Sequence, residues 1–390
     1  MINLSNSPLK LGLTIDLYNY SNKNSRGEYI KWFADDTSGE GPKVLHVYTI
    51  DKHVHEKDGI FTLEDRKRLE DRVGEFSVFI KENFPQIDLV SFQYPYNQLP
   101  PEILVLSDLD KLYGSKKDNS TRNKLISQGK ILNLDDAKEM ILSYLDILSN
   151  SDFSSLKYQP TLVLHAGGIL PSVLADRQKI RHFNLIRERL QKYQVEYHTS
   201  LIKYVSDKNV VISLENIPIF DNGDSYSDQW LSEHCFEDFA ERFKHGGIHT
   251  IDLAHLVMDV AYFNQDKLKV FSLDMIKEEF GTVPPSLTSV QNYVKIASNF
   301  LKDNLENKYP RIIYHLNDCN GFLGDNEGLQ IGVENSLMPW KNIIKTMMTY
   351  TPDAYAALEI QNGHLKENYD RCIRQSLKKF LNYCEEIGPN

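Results

Sequence analysis

The chain has 390 residues, 41% of them hydrophobic, and a formal net charge of −10. That is enough apolar material for a large core, and α/β barrels of this length occur as one unit with insertions. The acidic balance argues against tight binding to a nucleic-acid backbone over most of the surface, and no run of about 18 apolar residues offers a membrane span.

The first candidate strand is Leu9–Asp16, followed by Lys43–Ile50, Ile87–Pro95, Thr161–Gly167, Val210–Asn216, Ile248–His255, Arg311–Asp318 and Tyr355–Gln361. Most are continuous apolar runs, as expected of parallel strands covered by helices. Helical patterns fall between them. Thr62 opens one, with Asp65 in the place of a capping-box acid, that runs to about Asn83. Others are expected at Asp135–Leu148, Asp176–Tyr193, Ser227–Lys244, Ser286–Leu305, Trp340–Tyr350 and His364–Cys384. Alternating strands and helices predict an α/β protein, a (β/α)8 TIM barrel spanning residues 1–390 as a single domain. An open doubly wound sheet is the structural competitor, because periodicity alone does not close a sheet.

Between the third and fourth strands the spacing is long. The extra segment, residues 98–130, is polar and carries Lys111, Lys116, Lys117, Arg122, Lys124 and Lys130. It reads as an insertion on the barrel, either a solvated loop or a lid that contacts phosphate. The cysteines Cys235, Cys319, Cys372 and Cys384 show no Cys-x-x-Cys spacing, so reduced thiols are expected. The segment MINLSNSPLK lacks the cationic and apolar regions of a secretory signal. A cytoplasmic globular protein is the expectation, with its oligomeric state open.

The informative residues stand at the strand ends, where barrels of this kind place their chemistry. His165 ends the fourth candidate strand, Glu215 the fifth, Asp252 and His255 the sixth, His315 the seventh and Glu359 the eighth. A lone histidine at a strand end is more often a hydrogen-bonded structural residue, and a lone glutamate before an asparagine can cap a turn. Five consecutive strands ending this way point instead to a shared divalent cation, since a buried charge without a partner costs several kcal/mol. Three carboxylates and an imidazole form a mixed oxygen and nitrogen set suited to Zn2+ or Mn2+, with Mg2+ and Co2+ also accommodated. Other histidines, His46 among them, are read as having no special role.

In chain order the motifs are VLHAGG around His165, SLEN around Glu215, Asp252-x-x-His255, HLND from His315, the Gly324–Glu327 stretch and LEI around Glu359. Together they resemble the xylose isomerase-like TIM-barrel superfamily, which contains sugar isomerases and epimerases, inosose dehydratase-type lyases and endonuclease IV-type apurinic endonucleases. The resemblance covers the chain from Leu9, with the insertion unmatched. It implies one metal held by Glu215, Asp252, His315 and Glu359, with the two glutamates as acid and base on a sugar or polyol and His255 on its hydroxyls.

The endonuclease branch implies more metals, with His165, His255 and Asp325 as further ligands and nucleic acid as partner. There the chain departs from the pattern: Phe92-Gln93-Tyr94 replaces a histidine of the third strand and Glu327 replaces another after the seventh. Asp51-Lys52-His53 stands where an Asn-Pro-Arg stretch grips the duplex. Glu327 retains an oxygen for a metal. Gln93, Tyr96 and Asn317 are carried as substrate contacts. The first reading is a sugar or polyol isomerase, epimerase or lyase. The alternatives are a metal-dependent phosphodiesterase, a metalloenzyme of the same fold that modifies a peptide or natural product, and a non-catalytic binding protein.

Overall fold

The computed structural model describes residues 7, 9–18, 32–33, 41–49, 63–95, 100–101, 103–104, 134–165, 183–216, 248–263, 312–320, 328–334, 336–360 and 369–388. The strands are β1 (Lys10–Asp16), β2 (Val44–Tyr48), β3 (Leu89–Gln93), β4 (Thr161–His165), β5 (Val211–Glu215), β6 (Ile248–Asp252), β7 (Ile312–Leu316) and β8 (Tyr355–Leu358). The described helices are α1 (Leu63–Asn83), α2 (Leu134–Asn150), α3 (Phe183–Tyr204), α4 (Leu253–Phe263), α5 (Trp340–Tyr350) and α6 (Tyr369–Ile387). The strands pair in chain order and β8 returns to β1, so the sheet is a closed barrel. Every pairing is parallel. The closed (β/α)8 barrel was the expectation, and the open sheet is excluded.

Alternation along each strand sorts the side chains into two layers. Leu11, Leu13, Ile15, Val47, Val90, Phe92, Leu162, Leu164 and Leu214 pack outward against helix residues such as Leu69, Val73, Phe76 and Ile141 in the main core. Each such buried side chain contributes roughly 1.5–3 kcal/mol. Val44, Leu89, Ile313, Tyr355 and Ala357 form a separate cluster within the barrel. Toward the strand ends the same faces turn polar: Thr14, His46, Ser91, Ser213 and Thr250 are all buried. Gly12 is dictated by close strand approach, since a Cβ there would sit 1.8 Å from the Val44 carbonyl oxygen.

Most boundaries fall within a few residues of those read from the sequence, with three informative differences. The sixth strand stops at Asp252, and Leu253 already begins α4, so Asp252-x-x-His255 crosses from strand to helix. Asp252 therefore caps a strand end while His255 sits in a first helical turn. β8 ends at Leu358, one residue before Glu359. The third helix runs to Tyr204 rather than Tyr193, because Leu201 continues its buried face. The expected helices at residues 227–244 and 286–305 and the cap at Thr62 lie outside the described residues. So does the insertion at 98–130, except Pro100, Pro101, Ile103 and Leu104. Among the described residues no helix is long and apolar enough to cross a membrane.

Candidate metal centre

Parallel register brings the polar strand ends to one level. His165 pairs with Glu215 across β4 and β5, and Asp252 pairs with His315 across β6 and β7. Glu359 follows β8, whose Ala357 is level with His315. One donor atom from each of Glu215, Asp252, His315 and Glu359 lies within 4.8 Å of the other three. All four are buried; even Glu359 exposes only 5% of its surface.

Hydrogen-bond supply does not match demand in this cluster. His315 Nδ1 lies 2.7 Å from Glu215 Oε1 and also 2.7 Å from Glu359 Oε2. A ring nitrogen has one hydrogen, and its aligned bond goes to Glu215. Among the described residues Glu359 Oε2 has no hydrogen-bond partner, while Tyr48 donates its hydroxyl to Oε1. Glu215 Oε2 is 2.9 Å from His165 Nε2, close enough for an ion pair but without hydrogen-bond alignment. The same His165 nitrogen is 2.8 Å from Gln93 Nε2.

Asp252 is held differently. Its Oδ1 accepts from the His255 backbone N–H at 2.8 Å, and its Oδ2 accepts from Asn317 Nδ2 at 2.7 Å. The Asn216 side chain accepts from the Asp252 N–H at 2.8 Å and donates to the Asp252 carbonyl at 2.9 Å, fixing the strand end where the helix takes over. His255 Nδ1 meets the Asn216 carbonyl at 2.9 Å, and its Nε2 stands 3.7 Å from Asp252 Oδ2.

The electrostatics follow from this crowding. Burial pushes Asp252 up to about 7, reinforced by Glu359 and Glu215 against the pull of His255. Burial acts the same way on Glu215 and Glu359, but the neighbouring histidines, His315 first, outweigh it. Glu215 is held well below the usual carboxylate range and Glu359 at about 2. Burial depresses His315, yet Glu215 and Glu359 raise it well above an ordinary imidazole. Two like charges about 4 Å apart repel by about 4 kcal/mol at an effective dielectric of about 20. Three carboxylates, one shared proton and two oxygens without hydrogen bonds are a donor set that a divalent cation fits.

Of the residues singled out from sequence, the structure brings Glu215, Asp252, His315 and Glu359 into one cluster. It sets His165, His255, Gln93 and Asn317 against that cluster, with Asn317 directed at Asp252 rather than away from it. Tyr96, Asp325 and Glu327 lie outside the described residues. Cys319 is buried in the core and belongs to no described metal-ligating group. Three residues were not singled out: His46, Tyr48 and Asn216. His46 forms a second close group with His315 and Glu359. Burial, with His315 adding to it, lowers its pKa to about 3, so it is neutral. Its signal was available in VLHVY, where a histidine interrupts the inward-facing positions of a core strand.

No protein-family model matches the sequence, and no curated protein matches it. Solved structures do. A protein assigned as a sugar phosphate isomerase/epimerase from Anabaena variabilis aligns over 97% of this chain and 99% of its own, at 10% identity and a TM-score of 0.44. A D-psicose 3-epimerase from Clostridium cellulolyticum, solved with D-tagatose, aligns over 97% and 98%, at 11% identity and TM-score 0.43. A xylose isomerase domain protein from Alicyclobacillus acidocaldarius aligns over 96% and 99%, at 12% identity and TM-score 0.38. Likeness at this level adds nothing to the barrel that the strand order already establishes.

Proposed function

We propose that this chain is a divalent-metal-dependent enzyme of the isomerase, epimerase or lyase kind that acts on a small sugar or polyol. The observation that carries the reading is the buried set of Glu215, Asp252, His315 and Glu359, whose carboxylate oxygens outnumber the hydrogens available to them. Mn2+ or Zn2+ suits this set, and Mg2+ or Co2+ also fits an oxygen-rich site. The bound cation supplies Lewis-acid stabilisation of negative charge developing on a substrate oxygen.

The side chains divide the remaining work. Glu215 and Glu359 reach the centre from different sides of the barrel mouth, and each keeps Oε2 without a hydrogen-bond partner. A carboxylate that gives one oxygen to the cation keeps its other to take and return a proton at carbon beside a carbonyl. Asp252 is held at both oxygens by Asn317 and the His255 N–H, so it serves as a fixed ligand. His255 presents Nε2 beside the cluster as a partner for a substrate hydroxyl. His165 and Gln93 hold each other against Glu215, which orients that carboxylate.

The test is a panel of aldoses, ketoses and polyols incubated in D2O with the Mn2+-loaded chain, read by deuterium incorporation at carbon. Exchange into at least one compound is expected, falling by about a thousandfold in Glu215→Gln and in Glu359→Gln. No exchange with any of them, alongside cleavage of an abasic-site duplex, overturns the reading in favour of phosphodiester hydrolysis.

A further inference from the structure

We propose that the barrel offers a second divalent-cation position, formed by His46, His315 and Glu359 on the inner side of the four-residue centre. The inference rests on the metal centre proposed above and extends it to a residue outside that set. One donor atom from each of His46, His315 and Glu359 lies within 4.8 Å of the other two. His46 does not join Glu215 and Asp252 in a common group at that separation. Two atoms bound to one cation at about 2.0–2.2 Å stand no more than about 4.4 Å apart. One ion therefore cannot take all five residues, and the two groups mark two positions that share His315 and Glu359.

The unsatisfied atoms point the same way. Among the described residues, His46 Nε2, His315 Nε2 and Glu359 Oε2 are buried and have no hydrogen-bond partner. His46 and His315 are each 0% exposed, and their rings lie 4.1 Å apart between centroids, tilted by 57°. The other His46 nitrogen is accounted for: Nδ1 is 3.0 Å from Ser91 Oγ, and that hydroxyl donates onward to the Leu45 carbonyl at 3.4 Å. With the Ser91 hydrogen so directed, Ser91 accepts from His46 Nδ1–H, and Nε2 carries the lone pair. A ligating imidazole typically has this arrangement, its second nitrogen donating to a fixed acceptor.

A purely structural role explains Nδ1 but leaves Nε2 unused in a water-poor interior, at a cost of about 1–3 kcal/mol. The two common residues can be shared if His315 bridges as an imidazolate, releasing its remaining ring proton to solvent as the second ion binds, and Glu359 gives one oxygen to each ion. Filling the inner position engages the second oxygen of Glu359 as well, and so takes that carboxylate out of proton transfer. The second ion is thus a brake on the isomerisation proposed above rather than a participant in it.

The experiment is to strip the full chain with chelator, add excess Mn2+, desalt, and count manganese by elemental analysis alongside low-temperature electron paramagnetic resonance. The native chain is expected to hold two Mn2+ with an exchange-coupled spectrum. His46→Ala should hold one, with the six-line signal of an isolated ion, and His46→Gln, which keeps an amide near Ser91, guards against a folding defect in the alanine variant. One Mn2+ in the native chain and in both variants overturns the second position and leaves the four-residue centre standing. Two in every protein also overturns it, because the extra ion then lies elsewhere. No Mn2+ in any of them overturns the centre itself.

Discussion

Asp318, two residues beyond β7, and the carboxylates of the proposed metal centre are all buried, and they solve burial in opposite ways. Asp318 accepts four hydrogen bonds: from the Cys319 N–H at 2.8 Å, Ser336 Oγ at 2.6 Å, the Gly332 N–H at 2.7 Å and Trp340 Nε1 at 2.9 Å. Burial still raises its pKa, but every donor around it opposes that shift. Its backbone also pairs with Leu329 in both directions, at 2.9 and 3.0 Å. Glu215 and Glu359 instead face each other across a single shared histidine proton, and each leaves an oxygen without a hydrogen bond. Donors complete Asp318 from within the chain. Among the described residues nothing completes the glutamates in that way.

That difference predicts a crossed result, the largest effect expected here. Asp252→Asn removes one charge from the cation set and should weaken Mn2+ binding by about 3–5 kcal/mol, roughly three decades in Kd, by titration calorimetry. Its metal-free form should unfold no more easily than the parent, because a repelling charge has gone. Asp318→Ala should do the reverse. It strands four buried donors and lowers unfolding stability by roughly 3 kcal/mol in chemical denaturation, with Mn2+ affinity kept within about threefold. If both variants lose metal equally, Asp318 belongs to the centre and the contrast fails.

The HLND stretch shows how much of this was legible in the sequence. Its His315 is assigned to the metal only as one of five consecutive polar strand ends, because a lone imidazole at a strand end is more often a hydrogen-bonded structural residue. Asn317 and Asp318 stand equally close in sequence, yet one braces a ligand and the other ties down the segment before α5. Nothing in the motif separates them, since the donors that decide the matter come from Gly332, Ser336 and Trp340. The barrel itself was readable because each continuous apolar run is local. A histidine inside the core strand VLHVY is visible too, but its partner is not, because the ring of His315 lies far along the chain and only 4.1 Å away.

A smaller effect sharpens the role of Asn317. Its amide reaches Asp252 Oδ2 from a position only 1% exposed, so it fixes the carboxylate. Asn317→Ala should weaken Mn2+ binding by about 10–100-fold, the usual range for a group that orients a ligand. The KM for any turned-over sugar, measured at saturating Mn2+, should change little. A large KM change at full metal occupancy would return Asn317 to the substrate.

The mildest prediction concerns protons. In the metal-free chain His315 holds its proton well above the ordinary imidazole range, and Asp252 holds one up to about 7. A cation taking both ligands must displace those protons, so affinity falls as pH falls. Above about pH 7 only His315 releases a proton, and Kd for Mn2+ should improve about tenfold per pH unit. Below about pH 7 Asp252 releases a second, and the slope should steepen toward about a hundredfold per unit. Metal-free stability runs the other way: the raised pKa of Asp252 favours the protonated folded state, so stability is lost as pH rises toward about 7. Calorimetric titrations from about pH 6 to about pH 8 therefore read Asp252 and His315 through the metal affinity. A Kd independent of pH across that range would mean that no proton is displaced, and that the cluster is already satisfied without a cation.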